Sequence, residues 1–147
     1  MMISLKRATI SDVKALVALE QGVAGTHIYV PMLKEEEWIE EIGKSVVYLI
    51  EKDGVVVGNV SYEKINKDNV YISGLVVNPK FQGQGIAHEA LLKILEELKD
   101  IKRIDLVTHP DNTKALKLYE SLGFTVESRK ENYFGDGEPR LVLVLQK

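Results

Sequence analysis

The chain has 147 residues, a net charge of −3, 45% hydrophobic and 28% charged residues, which is the size and make-up of one domain with one core. A mildly acidic chain lacks the basic face that phosphate-backbone binding needs, which argues against nucleic acid as a partner. The absence of cysteine removes disulfides, thiolate metal sites and a cysteine nucleophile, and suits a cytoplasmic location.

The N-terminal MMISLKRATISDV has no apolar leader segment, and no apolar run approaches the ~20 residues of a membrane span. Ile3 to Ala8 reads as a short strand, after which Ser11 and Asp12 cap a helix with Val13, Leu16, Val17 and Leu19 on its apolar side. Gly22 to Pro31 breaks that pattern, and Lys34 to Ile42 reads as a short acidic helix with Trp38 and Ile42 spaced i, i+4. Two β-branched runs, Ser45 to Ile50 and Val55 to Glu63, flank Lys52-Asp53-Gly54, a strong hairpin signal. A turn at Asn66 to Asn69 leads into a third antiparallel strand, Val70 to Val77. Ala87, Ala90, Leu91, Ile94, Leu95 and Leu98 then form one helical stripe. Arg103 to Thr108 is a strand, and Asn112 to Leu122 a helix closed by Gly123 in the usual C′ position. Phe124 to Lys130 and Arg140 to Gln146 are two more strands, joined through Gly135-Asp136-Gly137. This order predicts a single α/β (α+β) domain over 1–147, with a mixed, mostly antiparallel central sheet of about six to seven strands and about four helices packed on it.

Between the third hairpin strand and the Leu-rich helix lies Phe81-Gln82-Gly83-Gln84-Gly85. A strand-to-helix junction aims free N–H groups and the positive end of the helix dipole at one point, which suits phosphate. Glycines let a ligand approach the backbone closely; the plain alternative is a Gly-rich turn that holds nothing. A P-loop requires Lys-Ser/Thr after its second glycine, where Ile86-Ala87 stands, and a dinucleotide fingerprint requires Gly or Ala where His88 stands. A third pattern matches better. Val77-Asn78-Pro79 followed by Gln82-Gly83-Gln84-Gly85-Ile86-Ala87 resembles the acetyl-CoA signature of the GNAT superfamily of N-acetyltransferases. A second block, Asn112, Ala115, Leu118-Tyr119 and Gly123-Phe124, resembles that family's following helix, and Lys6-Arg7-Ala8-Thr9 with Asp12 looks like its opening.

The resemblance implies a sheet splayed between the fourth and fifth strands, with acetyl-CoA as cosubstrate in the notch. It implies that pantetheine pairs with backbone groups of Leu75 and Val77. Pyrophosphate would rest on N–H groups of Gln82, Gly83, Gln84, Gly85, Ile86 and Ala87, beside the second block's Asn112 and Ala115. A backbone N–H near Val76 or Val77 would stabilise the oxyanion, and Tyr119 would protonate the departing thiolate. Tyr119 can also be read as a packing aromatic. For the base that takes the acceptor's proton, many relatives carry a Glu where this chain has Tyr71 and Ser73; Glu63, Tyr71, His109 or a water relay are the candidates.

A site without a strong base suits α-amines: near pKa ~8 about 10% is neutral at pH 7, against about 1 in 2,500 for a lysine amine. Glu131-Asn132-Tyr133-Phe134 with Gly135-Asp136-Gly137-Glu138 resembles the peptide-side segment of the ribosomal-protein-type N-terminal acetyltransferases, or is simply a loop of turn residues. The acceptor reading is therefore a peptide or amino-acid-like α-amine. A small-molecule or polyamine acceptor attracted by Glu35, Glu36, Glu37, Glu40 and Glu41, and a non-catalytic CoA-binding sensor, stand beside it. His27, His88 and His109 show no ligand spacing, so no metal is expected; the resemblance implies that a homodimer is one option, with the oligomeric state left open.

Overall fold

The structure is a computed structural model that describes residues 3–147. Its order is β1 (Ile3–Arg7), α1 (Val13–Gln21), α2 (Glu35–Lys44), β2 (Val46–Lys52), β3 (Val55–Asn66), β4 (Asn69–Val77), α3 (Ile86–Glu97), β5 (Arg103–Thr108), α4 (Thr113–Ser121), β6 (Thr125–Lys130) and β7 (Arg140–Gln146). The start of α1 differs from the sequence reading. A 3-10 turn spans Ile10–Asp12, and Asp12 Oδ2 accepts the N–H of Thr9 at 2.9 Å, so Thr9 and Asp12 cap the entry while Ser11 only meets the Thr9 hydroxyl.

All seven strands form one sheet in the order β1-β2-β3-β4-β5-β7-β6. The β2–β3 turn is the predicted tight hairpin, with Asp53 at φ 52° and Gly54 at φ 77°. Every neighbouring pair is antiparallel except β4–β5. That parallel pair holds register only at Asn69↔Arg103, Val70↔Ile104 and Tyr71↔Asp105. Beyond Tyr71 the two strands part, which is the expected splay. Gly58 helps to set it: a Cβ there would collide with the carbonyl of Val76, so β3 lets β4 press close where its far edge opens.

Side-chain alternation along β2 separates the two faces of the sheet. Val46, Tyr48 and Ile50 join the larger core, with Ile86, Leu91 and Ile94 of α3 and Tyr119 of α4. Val47 and Leu49 join Val13, Leu16 and Trp38 beneath α1 and α2. Ile86, Leu91 and Ile94 are at most 1% exposed, and burying each contributes about 1.5–3 kcal/mol. The first turn of α3 is therefore fixed by packing, not by an ordinary side-chain cap. Among the described residues no helix is long and apolar enough to cross a membrane.

Candidate active site

Gly85 takes the N-cap position of α3 in a left-handed conformation (φ 79°) and offers no side-chain cap. The first N–H groups of a helix have no partner within it, and here they border a groove of about 370 Å³. It is lined by Leu75 and Val77 of β4, by Gly83 and Ala87 at the start of α3, and by Asn112 and Ala115 at the start of α4, among others. A Cβ on Gly83 would meet nothing within 4 Å, so the loop is open at that point and a pyrophosphate could approach its backbone. Two of the loop's side chains do other work. Gln82 Nε2 donates to the Val77 carbonyl at 3.0 Å, and Gln84 Oε1 accepts from Lys52 Nζ at 2.7 Å. Gln84 does not line the groove. Asn112 is the N-cap of α4, its Oδ1 accepting the Ala115 N–H.

A second cavity, of about 380 Å³, adjoins the first; Tyr29, Leu75, Asn112 and Tyr119 line both. Val76 faces this second space. Tyr119 is 8% exposed, and burial, followed by the nearby Tyr29 hydroxyl, pushes its phenol well above its ordinary value. The walls carry Glu20, Glu41, Glu63, Tyr71, Ser73 and Arg140 among others. Glu41 is buried; its Oε1 accepts from Ser73 Oγ at 3.2 Å, and Ser73 Oγ lies 2.9 Å from Ser61 Oγ. Glu35, Glu36, Glu37 and Glu40 are exposed, so Glu41 alone of the acidic run enters the site. Arg140 is 2% exposed, donates to Asp136 Oδ2 and the Pro139 carbonyl, and lies 5.1 Å from the Phe134 ring centre.

Of the base candidates, Glu63 and Tyr71 line this cavity and His109 does not. Burial foremost, then Tyr133, Asp105, Glu41 and Glu63, push the Tyr71 phenol well above its ordinary value, so it holds its proton at neutral pH. His109 Nδ1 accepts the Asp111 N–H at 2.9 Å, and Nε2 lies 2.7 Å from Glu138 Oε1. Both ring nitrogens are engaged, tying the β5–α4 loop to the β6–β7 loop.

His27, His109 and Glu138, distant in sequence, offer ligand atoms all within 4.8 Å of one another, a grouping that spacing along the chain does not reveal. The hydrogen-bond network assigns the His109 proton to Nε2, because Nδ1 faces an N–H donor. A metal on Nε2 would force that proton onto Nδ1, against the amide. The cluster therefore reads as a clasp, not a metal site.

Glu20 is the residue the sequence reading passed over. It lies 8% exposed in the last turn of α1 and opens on the second cavity. Burial first, then the charge of Glu37, raises its carboxyl from 4.5 to about 7, while a hydrogen bond from the Met32 backbone pulls the other way. A signal existed: Val13, Leu16 and Glu20 fall at i, i+3 and i+7, so Glu20 stands on the buried stripe. The raised carboxyl has a consequence for stability. Below about pH 4.5 it is protonated in folded and unfolded chains alike and its burial costs little. Above about pH 7 the folded chain must bury the charge, and the full cost, on the order of 3 kcal/mol, is present. Glu20→Gln should therefore raise the Tm by several degrees at pH 8 and leave it nearly unchanged at pH 4.5. Thermal melts at the two pH values check this; an equal shift at both would show that the gain is not electrostatic.

The model of the Acetyltransferase (GNAT) family matches residues 14–124. The chain is 32% identical over 84 residues to the [ribosomal protein bS18]-alanine N-acetyltransferase of Haemophilus ducreyi, covering 53% of this chain and 58% of that one. It is 26% identical over 145 residues to the L-amino acid N-acetyltransferase of Escherichia coli K12, covering 89% and 88%. It spans less than two thirds of the length of the first of these, and of other curated relatives it matches. Its fold is similar to that of the ribosomal-protein-S18-alanine N-acetyltransferase of Escherichia coli, with a TM-score of 0.84 at 21% identity over 99% of this chain and 94% of that one. The chain belongs to the acetyltransferase (GNAT) family, whose members draw the group they transfer to an amine from acetyl-CoA.

Proposed function

We propose that the protein transfers an acetyl group from acetyl-CoA to the α-amine of a peptide or an amino-acid-like molecule. The observation that carries the reading is the junction of the two cavities at Tyr29, Leu75, Asn112 and Tyr119. A nucleotide-sized groove that opens onto a separate polar pocket suits a donor and an acceptor meeting end to end.

Bound acetyl-CoA supplies an acyl carbon activated by its sulfur. The chain's own residues do the rest. The N–H groups of the glycine loop and of the first turn of α3, from Gly83 to Ala87, hold the pyrophosphate against the helix dipole. The β4 edge at Leu75 and Val77, left without a β5 partner, holds the pantetheine arm by its backbone. One Val77 acceptor position is already taken by Gln82. A backbone N–H at Val76 or Val77 takes the oxyanion as the amine nitrogen attacks and the C–S bond breaks. Tyr119 gives the departing sulfur a proton and recovers one from the nitrogen that has become an amide. Among the base candidates Glu63 remains in the cavity and His109 is removed by its own hydrogen bonds.

The α-amine reading no longer rests on a weakly equipped site, since the cavity holds Glu20 and Glu41 as well as Glu63. It rests on Arg140. Carboxylates in the wall attract any ammonium, but a guanidinium in the same wall favours an acceptor with a carboxylate or carbonyl beside its amine. A polyamine offers no such group to the guanidinium N–H donors that Asp136 and the Pro139 carbonyl leave over. The 26%-identical relative named for L-amino acids supports the same class. The test is CoA release with a panel of peptides, free amino acids, their decarboxylated amines and spermidine. An amino acid or peptide should exceed its decarboxylated counterpart by about 10- to 100-fold in kcat/KM, the worth of one charged hydrogen bond. Strong turnover of spermidine with none of any α-amine overturns the acceptor assignment, and CoA binding with no turnover of any amine overturns catalysis.

A further inference from the structure

We propose that Glu20 is the group that takes the proton the acceptor ammonium must lose before it attacks. The inference rests on the acetyl-transfer reading above and names the residue that reading lacks.

Position singles Glu20 out among the carboxyls of the cavity. Its neighbours in α1 and the following loop, Leu19 and Val23, pack directly on Val76. The C-terminal end of α1 is thus seated against the part of β4 where the sheet has parted. Glu63 pairs across the sheet with Tyr71, five residues before Val76, which is about 16 Å along an extended strand. Glu41 is bonded to Ser73, about 10 Å short of Val76 on the same measure, and its second oxygen lies 3.9 Å from Lys44 Nζ. Glu20 is the carboxyl whose chain neighbour Leu19 packs at Val76, and it shares its cavity with Val76 and Tyr119.

The chemistry matches the position. The step is R–NH₃⁺ with Glu20 carboxylate giving R–NH₂ and the neutral acid; the acid returns its proton to solvent after the product leaves. An α-amine near pKa ~8 gives a proton to an ordinary carboxylate against a ratio of about 5,000. Against a carboxyl raised to about 7 the ratio is about 10, so far more of the bound acceptor is neutral and ready to attack. The other titratable and charged groups around the cavity are Glu37, Glu41 and Lys44 of α2, Glu63 of β3, Tyr71 of β4, Tyr119 of α4, Arg140 of β7 and Tyr29 of the α1–α2 loop. Glu41 and Glu63 are carboxyls of the cavity wall and keep the ammonium bound while Glu20 works; Glu37 lies outside the wall and acts on Glu20 through its charge.

The experiment compares the wild type with Glu20→Gln, using the best α-amine of the panel. The variant's kcat/KM should fall by about 100- to 10,000-fold, with the Kd for CoA unchanged by calorimetry and the fold intact by thermal melt. The wild-type profile should rise with pH near 7. The variant's rise should move to the amine's own pKa, and its deficit should shrink at pH 9, where the amine is neutral without help. A purely structural role would depress all pH values alike. Wild-type turnover with a variant of equal rate and unshifted profile overturns the Glu20 assignment alone. CoA binding by both proteins with turnover of no amine by either overturns the transfer reading, and this one with it.

Discussion

Tyr119→Phe should lower kcat by about 10- to 1,000-fold with little change in fold or in CoA affinity. The range spans the usual worth of a general acid and the ease with which a thiolate leaves unaided. The substitution removes one oxygen from a side chain already 8% exposed, packed edge-on against Phe124 at 5.9 Å between ring centres. The aromatic body stays in place, so packing is nearly conserved. The phenol is held above its ordinary value, first by burial and then by Tyr29. Tyr119 therefore stays protonated through pH 9 and contributes no falling limb of its own, and the ratio of wild-type to variant rates should be flat from pH 6 to pH 9. That flatness separates the acid from the Glu20 step, whose deficit narrows as pH rises. Single-turnover rates give the measurement, because they exclude product release. An unchanged single-turnover rate would leave Tyr119 as a wall of the two cavities and no more.

The parts of this molecule that local chemistry dictates could be read directly from the chain. Asp53-Gly54 needs two left-handed residues between β-branched runs and makes the hairpin. Gly123 ends α4 at φ 98°. The elements that border the groove at the start of α3 were legible for the same reason, since Gln82 to Ala87 and Asn112 to Tyr119 are each one local loop–helix event. The acceptor cavity was not. Its walls come from α1, the α1–α2 loop, α2, β3, β4, β5, α4, the β6–β7 loop and β7, and no local pattern says that they meet. Arg140 opens a strand and reads as an exposed end until Asp136 and Phe134 close over it. Insertion of β7 between β5 and β6 is likewise a long-range choice; it brings Arg140 to Lys130 of β6 and Leu141 to Thr108 of β5. Glu20 marks the boundary between the two kinds of information. Its spacing shows that it faces inward, but only the tertiary structure shows that inward here means a cavity.

Gly85→Glu should weaken CoA binding by about 100-fold or more. Gly85 sits at the N-cap of α3 and lines the groove. A carboxylate about 5 Å from a phosphate charge repels it by about 3 kcal/mol at an effective dielectric constant of 20, which is about two decades in Kd. The substitution also forces a side chain into a left-handed conformation, which costs roughly 1 kcal/mol. Gly85→Ala separates the two effects. It carries the strain without the charge, and because strain is present in free and bound protein alike, it should lower the Tm while changing the Kd little. Salt gives a third check, since screening at 1 M shortens the Debye length to about 3 Å. The Gly85→Glu deficit should therefore shrink at high salt, whereas a deficit caused by a distorted helix start would persist. Calorimetric titration of CoA into the three proteins at low and high salt measures all of this. Equal affinity of Gly85→Glu and wild type at low salt would mean that the phosphates lie elsewhere than on the first turn of α3.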